Sequence, residues 1–81
     1  MRLRKQALGD KNLIGKRVES ARKSQGMKQK ELLAQLQVKG LDMNASGLSK
    51  IEGQTRSVND YELLAFSEIL NIPVLWLLTG K

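Results

Sequence analysis

Asn44, Ala45, Ser46, Ser49 and Lys50 are the residues whose types and spacing could recognise a partner. The stretch that holds them, 44–52, is predicted as a short helix, with Asn44 as its N-cap and Gly53 in the left-handed conformation that ends it. Leu48 and Ile51 fall three apart on one face, and the small polar residues and the single lysine take the remaining arc. The chemistry on offer is binding, through hydroxyls, a side-chain amide and one ammonium group. A helix with two aliphatic residues on its inner face cannot persist alone, so other elements must hold it while the arc stays free.

Composition narrows what those elements can be. The chain has 81 residues, net charge +6 and 41% hydrophobic residues, which suits one domain. A chain of this size buries only about 60% of its unfolded surface, so every apolar face has to be used. There is no cysteine, which excludes a disulfide framework and a thiolate metal site, and no histidine, which removes the commonest general acid/base and metal ligand. No catalytic residue, cofactor or metal is expected. No apolar run approaches the roughly 18 residues that span a bilayer, and the first residues lack the apolar stretch of a secretory signal, so the expected location is cytoplasmic, away from membranes. The charge is uneven. Residues 1–30 hold ten Lys/Arg against Asp10 and Glu19, or +8, and residues 31–81 hold four against six, or −2. Such a basic half is either a solvated face or a polyanion-binding surface.

In chain order, residues 1–11 are polar and basic without a clear period and are predicted to be a mobile arm, with the folded domain over 12–81. Ile14, Val18 and Ala21, with Leu13 widening the stripe, predict an amphipathic helix over about 12–25, ended by Gly26. Leu32, Leu33 and Leu36 predict a second helix over about 28–38, and the cations Lys28 and Lys30 at its positive end suggest an external anion nearby. Gly40 is the expected C-cap, with Leu41 and Met43 plugging the core before the 44–52 helix. After a polar loop, Ser57 or Asn59 caps a widely apolar fourth helix carrying Leu63, Phe66 and Leu70, which Asn71 ends. Pro73, at a first-turn position, starts a short last helix of Val74, Leu75, Trp76, Leu77 and Leu78. Nothing has the alternation of a strand, and the fold expected is all-α with five short helices.

Arg22, the run Gly26-Met27-Lys28-Gln29-Lys30-Glu31-Leu32, the run Leu48-Ser49-Lys50-Ile51-Glu52 and the apolar fourth helix with its Asn71-Ile72 and Trp76-Leu77-Leu78 ending occur in a telling order. Together they resemble the Cro-type helix-turn-helix family of phage-repressor-like, xenobiotic-response-element DNA-binding domains. The resemblance covers roughly residues 13–78. It implies a compact five-helix, lambda-repressor-like fold whose second and third helices form the helix-turn-helix, joined here by a connection about five residues longer than the usual tight turn. It implies that 44–52 is the recognition helix, that Gln29 contacts backbone phosphate, and that Arg22 and Glu52 pair across the first and third helices.

The physical chemistry of DNA fits these residues. A major groove about 12 Å wide admits one helix. Ala45, Ser46 and Gly47 are small enough for close approach, Lys50 could reach guanine O6/N7 or a phosphate, and Asn44 and Ser49 share the arc. Lys28, Gln29 and Arg56 are the expected phosphate contacts, joined by Arg2, Arg4 and Lys5 of the arm. The expected function is a sequence-specific, double-stranded DNA-binding transcriptional regulator, a repressor by preference. The alternative is a protein-interaction module, such as the antitoxin-like half of a toxin-neutralising pair. RNA binding ranks third, because the single Trp, Tyr and Phe leave no stacking platform. The apolar run 74–78 cannot bury every side against its own domain, so a homodimer is expected through Leu64, Val74, Leu75 and Trp76.

Overall fold

The computed structural model describes residues 9–81. Five helices follow one another: α1 (Gly15–Ser24), α2 (Gln29–Val38), α3 (Ala45–Glu52), α4 (Asp60–Leu70) and α5 (Val74–Thr79). No strand occurs among the described residues, so the domain is all-α as its periodicities predict. The short α3 packs against both α1 and α2, α4 packs against α1, α2 and α5, and the core lies between them. Val18, Leu32, Leu36, Leu48, Ile51, Phe66, Leu70 and Leu77 are fully buried there, at least one from every helix. Met43 plugs the core as expected, and Leu41 and Met27 are half-buried against it.

The first four helices end alike. Residue C″ donates back to the carbonyl five positions earlier in Met27→Arg22, Leu41→Leu36, Thr55→Lys50 and Ile72→Ser67, while the residue before it takes a positive φ. At Gly26, Gly40 and Asn71 that residue is of a type suited to the left-handed region. After α3 it is Gln54, at φ 62, and Gly53 stays right-handed at φ −82. The expectation of a left-handed Gly53 is therefore corrected by one position. The physical reason is on the other side of the loop: the Gln54 side chain donates to the Asn12 carbonyl at 2.9 Å, and its own carbonyl accepts from the Lys11 N–H at 3.0 Å. Those bonds offset a left-handed penalty of roughly 1–2 kcal/mol.

Asn12 is the second half of this joint. Its Oδ1 accepts from the N–H groups of Ile14 and Gly15, at 3.1 and 2.7 Å, and so caps the start of α1 from in front of the helix proper. Its amide donates to the carbonyls of Ile51 and Arg56, at 3.1 and 2.8 Å. One side chain thus ties the start of α1 to the end of α3. Gly15 lets the two backbones meet, since a Cβ there would overlap the Ile51 carbonyl oxygen. Gly9 and Lys11 donate to the carbonyls of Gly53 and Gln54 at 3.0 Å each, so the end of the predicted 1–11 arm is laid along the loop after α3. Arg2, Arg4 and Lys5 lie outside the described residues.

Two further expectations shift. Pro73 stands at the N-cap of α5 in extended conformation, φ −64 and ψ 142, so it precedes the first turn instead of entering it. The connection between α2 and α3 covers only residues 39–44, six residues against the three or four of a tight helix-turn-helix. The excess is thus two or three residues and not about five, with both helices bounded within one residue of the predicted 28–38 and 44–52 and Gly40, at φ 92, turning the chain between them.

Close approach at Gly15 has a measurable consequence. Gly15→Ala should destabilise the domain by a net of about 1–3 kcal/mol despite alanine's better helix propensity, because α1 must move off α3. In thermal melts that is a fall of at least about 4 °C for a domain of this size. An unchanged Tm would contradict the packing of α1 on Ile51.

Candidate functional site

Helix α3 starts where Asn44, in extended conformation, accepts from the Gly47 N–H through its side-chain oxygen at 2.7 Å. That bond engages the oxygen in capping, and the amide N–H2 of Asn44 remains a donor. Along the helix Leu48, Ile51 and Glu52 are buried, while Ala45, Ser46, Ser49 and Lys50 are exposed. The four residues predicted on the free arc are thus brought together on one surface. Behind them sits the group that fixes its direction.

Glu52 is 3% exposed, and its carboxylate accepts three hydrogen bonds. Arg22 Nε donates to Oε2 at 2.8 Å and Arg22 Nη2 to Oε1 at 2.9 Å, a bidentate pair. Gln29 Nε2 donates to Oε1 at 2.9 Å, and Arg22 Nη1 donates onward to the Met27 carbonyl at 2.9 Å. The pair that the resemblance implied is present, and it joins α1, the turn before α2, α2 and α3 in one network. Its hydrogen bond to Glu52 raises the Arg22 guanidinium above its ordinary value, against burial, which lowers it. A folded-state value raised in this way stabilises the fold at every pH below the ordinary arginine range, and that contribution is lost only as pH climbs through the raised value. The Arg22 side of the pair therefore keeps its charge across neutral pH.

Gln29, the expected phosphate contact, is half-buried and has both ends of its side-chain amide engaged. The nitrogen donates to Glu52, and the oxygen accepts from Ser49 Oγ at 3.3 Å. Lys28 and Lys30 flank it, both exposed, with the Lys28 N–H donating to Glu31 Oε1 at 2.7 Å in a first-turn cap. Among the described residues Lys28, Lys30 and Lys50 have no ion-pair partner. The start of α2 and the outer arc of α3 therefore carry uncompensated positive charge.

Arg56 is arranged differently from that trio. Its guanidinium donates to both oxygens of the buried Glu62, at 3.2 and 2.8 Å, and Glu62 Oε1 also accepts from the Asn59 N–H at 3.0 Å. Arg56 thereby anchors the loop after α3 to the start of α4. The legible signal for this was the Asn59-x-x-Glu62 capping box, an N-cap followed three residues later by a glutamate. Asn12 and Gln54, which position α3 from behind, carried no such local signature.

The residues expected at a dimer interface are spread out. Leu75 and Leu64 are exposed, at 63% and 52%, while Val74 and Trp76 are half-buried and Leu77 fills the core. Leu64 lines a depression with Lys39, Leu41 and Tyr61, whereas Trp76 lines another with Ala21, Ile72 and Pro73. No helix is long and apolar enough to cross a membrane, and no group of three or more metal-ligating side chains gathers among the described residues.

The Glu52 network should dominate single-residue stability here. Glu52→Ala leaves a buried guanidinium without its carboxylate and should cost about 3–5 kcal/mol. Removing the exposed Lys39–Glu68 pair by Lys39→Ala should cost about 0–1 kcal/mol. Urea unfolding of both variants checks the difference, and equal midpoints would contradict it.

Compared with protein-family models, with curated proteins and with solved structures, the chain matches none of them.

Proposed function

We propose that this protein is a sequence-specific, double-stranded DNA-binding transcriptional regulator, a repressor that reads the major groove with α3. The observation that carries the reading is the exposed arc Ala45, Ser46, Ser49 and Lys50, backed by a buried charge network and flanked by unpaired lysines. An α-helix is about 10–12 Å across and the groove about 12 Å wide. With small side chains at 45–47 the backbone can come close to the base edges. Lys50 then reaches acceptors on guanine, and Lys28 and Lys30 take phosphates on the groove wall. In this reading Arg2, Arg4 and Lys5 supply further phosphate contacts.

A protein that reads DNA as a dimer recognises two half-sites related by its own two-fold axis. In this reading the exposed Leu64 and Leu75, with Val74 and Trp76, supply the dimer contact, and the protein works in the cytoplasm where the DNA is. It acts by occupancy and is not an enzyme.

Selection from a pool of random duplexes tests the function. The wild type should recover a defined motif, and its affinity should fall with salt at a log–log slope of about −0.9 for each phosphate neutralised. Lys50→Ala should relax the preference at one base pair, a loss of about 1–3 kcal/mol of discrimination if the contact is bidentate. Lys28→Ala should weaken specific and random duplexes alike. Failure to enrich any motif, together with a salt slope near zero, would remove the proposal and favour a protein partner instead. Sedimentation tests the dimer: Leu75→Glu should yield a monomer under conditions where the wild type is dimeric, and a wild type that stays monomeric on DNA would contradict it.

A further inference from the structure

We infer that Ser49 is a specificity-determining residue that accepts a hydrogen bond from an exocyclic amino group, so that it selects adenine or cytosine at the base it faces. The inference rests on α3 being the reading helix, and goes beyond it by assigning the chemical class of base.

The reasoning follows hydrogen-bond polarity outward from the core. Arg22 can only donate, and the ionised Glu52 can only accept. With Glu52 Oε1 2.9 Å from the Gln29 amide, that amide has one workable orientation: its N–H2 group must face the carboxylate, and its oxygen must face the other way. The oxygen faces Ser49, whose Oγ lies 3.3 Å from it. Two acceptors cannot bond to each other, so the hydroxyl contributes its only proton to Gln29. What Ser49 has left for a partner is its lone pairs. A serine hydroxyl is ordinarily an ambiguous reader because it rotates to donate or accept. Here the buried pair removes that ambiguity through two intervening bonds.

Major-groove edges then divide cleanly. Adenine N6 and cytosine N4 offer donors, whereas thymine O4 and guanine O6 and N7 offer only acceptors. An acceptor-only Ser49 fits the first two and opposes the others. Ser46 provides an internal contrast. It is exposed on the same arc and makes no side-chain hydrogen bond within the described residues, so nothing fixes its polarity. Lys50, next in the chain, is a pure donor and suits the opposite kind of edge.

The experiment combines binding-site selection with single-atom changes in the DNA, using the full chain. The wild type should recover a motif with adenine or cytosine at one position where Ser49→Ala shows no preference, the rest of the motif being retained. Replacing that base by its analogue without the amino group, purine for adenine or pyrimidin-2-one for cytosine, should weaken wild-type binding roughly three- to tenfold, the range of one hydrogen bond. The same replacement should change Ser49→Ala binding less than about twofold, since the partner oxygen is already gone. Gln29→Ala should free the hydroxyl to donate and let guanine or thymine be recovered at that position. The inference is overturned if Ser49→Ala recovers the full wild-type motif, if the position it affects carries guanine or thymine in the wild type, or if Gln29→Ala leaves the discrimination intact. Those outcomes leave the DNA-reading function standing. A wild type that recovers no motif overturns both.

Discussion

The bidentate bond between Arg22 and Glu52 is the constraint on which the rest of this small domain depends. Both groups are almost completely withdrawn from water, so their charges are tolerated only because each of the carboxylate's bonds is made. Replacing such a pair by apolar residues can be neutral, whereas removing one partner is costly, and that asymmetry identifies its role as positional. It fixes where α3 lies relative to α1 and to the first turn of α2. The third arginine nitrogen on the Met27 carbonyl extends the same restraint into the turn between α1 and α2.

Helix α3 needs this because it has eight residues and cannot sustain itself. Leu48 and Ile51 hold its inner face in the core, Glu52 holds its last turn to α1, and Asn12 reaches the same turn from the chain before α1. Beyond it, Gln54 adopts a conformation that glycine would take more readily, because its side chain and carbonyl are both used to bind residues 11 and 12. The consequence is a helix whose inner side is over-determined and whose outer side is left with nothing but short side chains and Lys50. In the proposed function such an element can enter a groove without refolding, and the cost of ordering it is met on folding and not on binding.

Much of the architecture was legible because it is written in local periodicity. The i, i+4, i+7 spacing of Ile14, Val18 and Ala21, the apolar breadth of 63–70 and the caps at Asn44 and Asn59 each correspond to a described element within a few residues. The free arc of α3 was legible for the same reason. What local pattern does not encode is which distant group a polar residue meets. Gln29, expected on a phosphate, is tied to Glu52, 23 residues away; Arg56, expected in the same role, is closed on Glu62. Asn12 contacts residues 39 and 44 positions further on, a relation that no window of sequence contains. Propensity points to Gly53 for the left-handed position, and the tertiary hydrogen bonds of Gln54 outweigh it.

In the proposed function the outer arc of α3 and the start of α2 form the surface that meets duplex DNA. Backbone-amide NMR during titration with short duplex DNA tests it most directly, because it locates the contact without presuming a site sequence. The largest shifts should fall on residues 28–30 and 44–50, with α4 and the outer face of α5 unaffected at low protein concentration. Shifts concentrated on Tyr61, Leu64 and Leu75, or none that depend on added DNA, would contradict it.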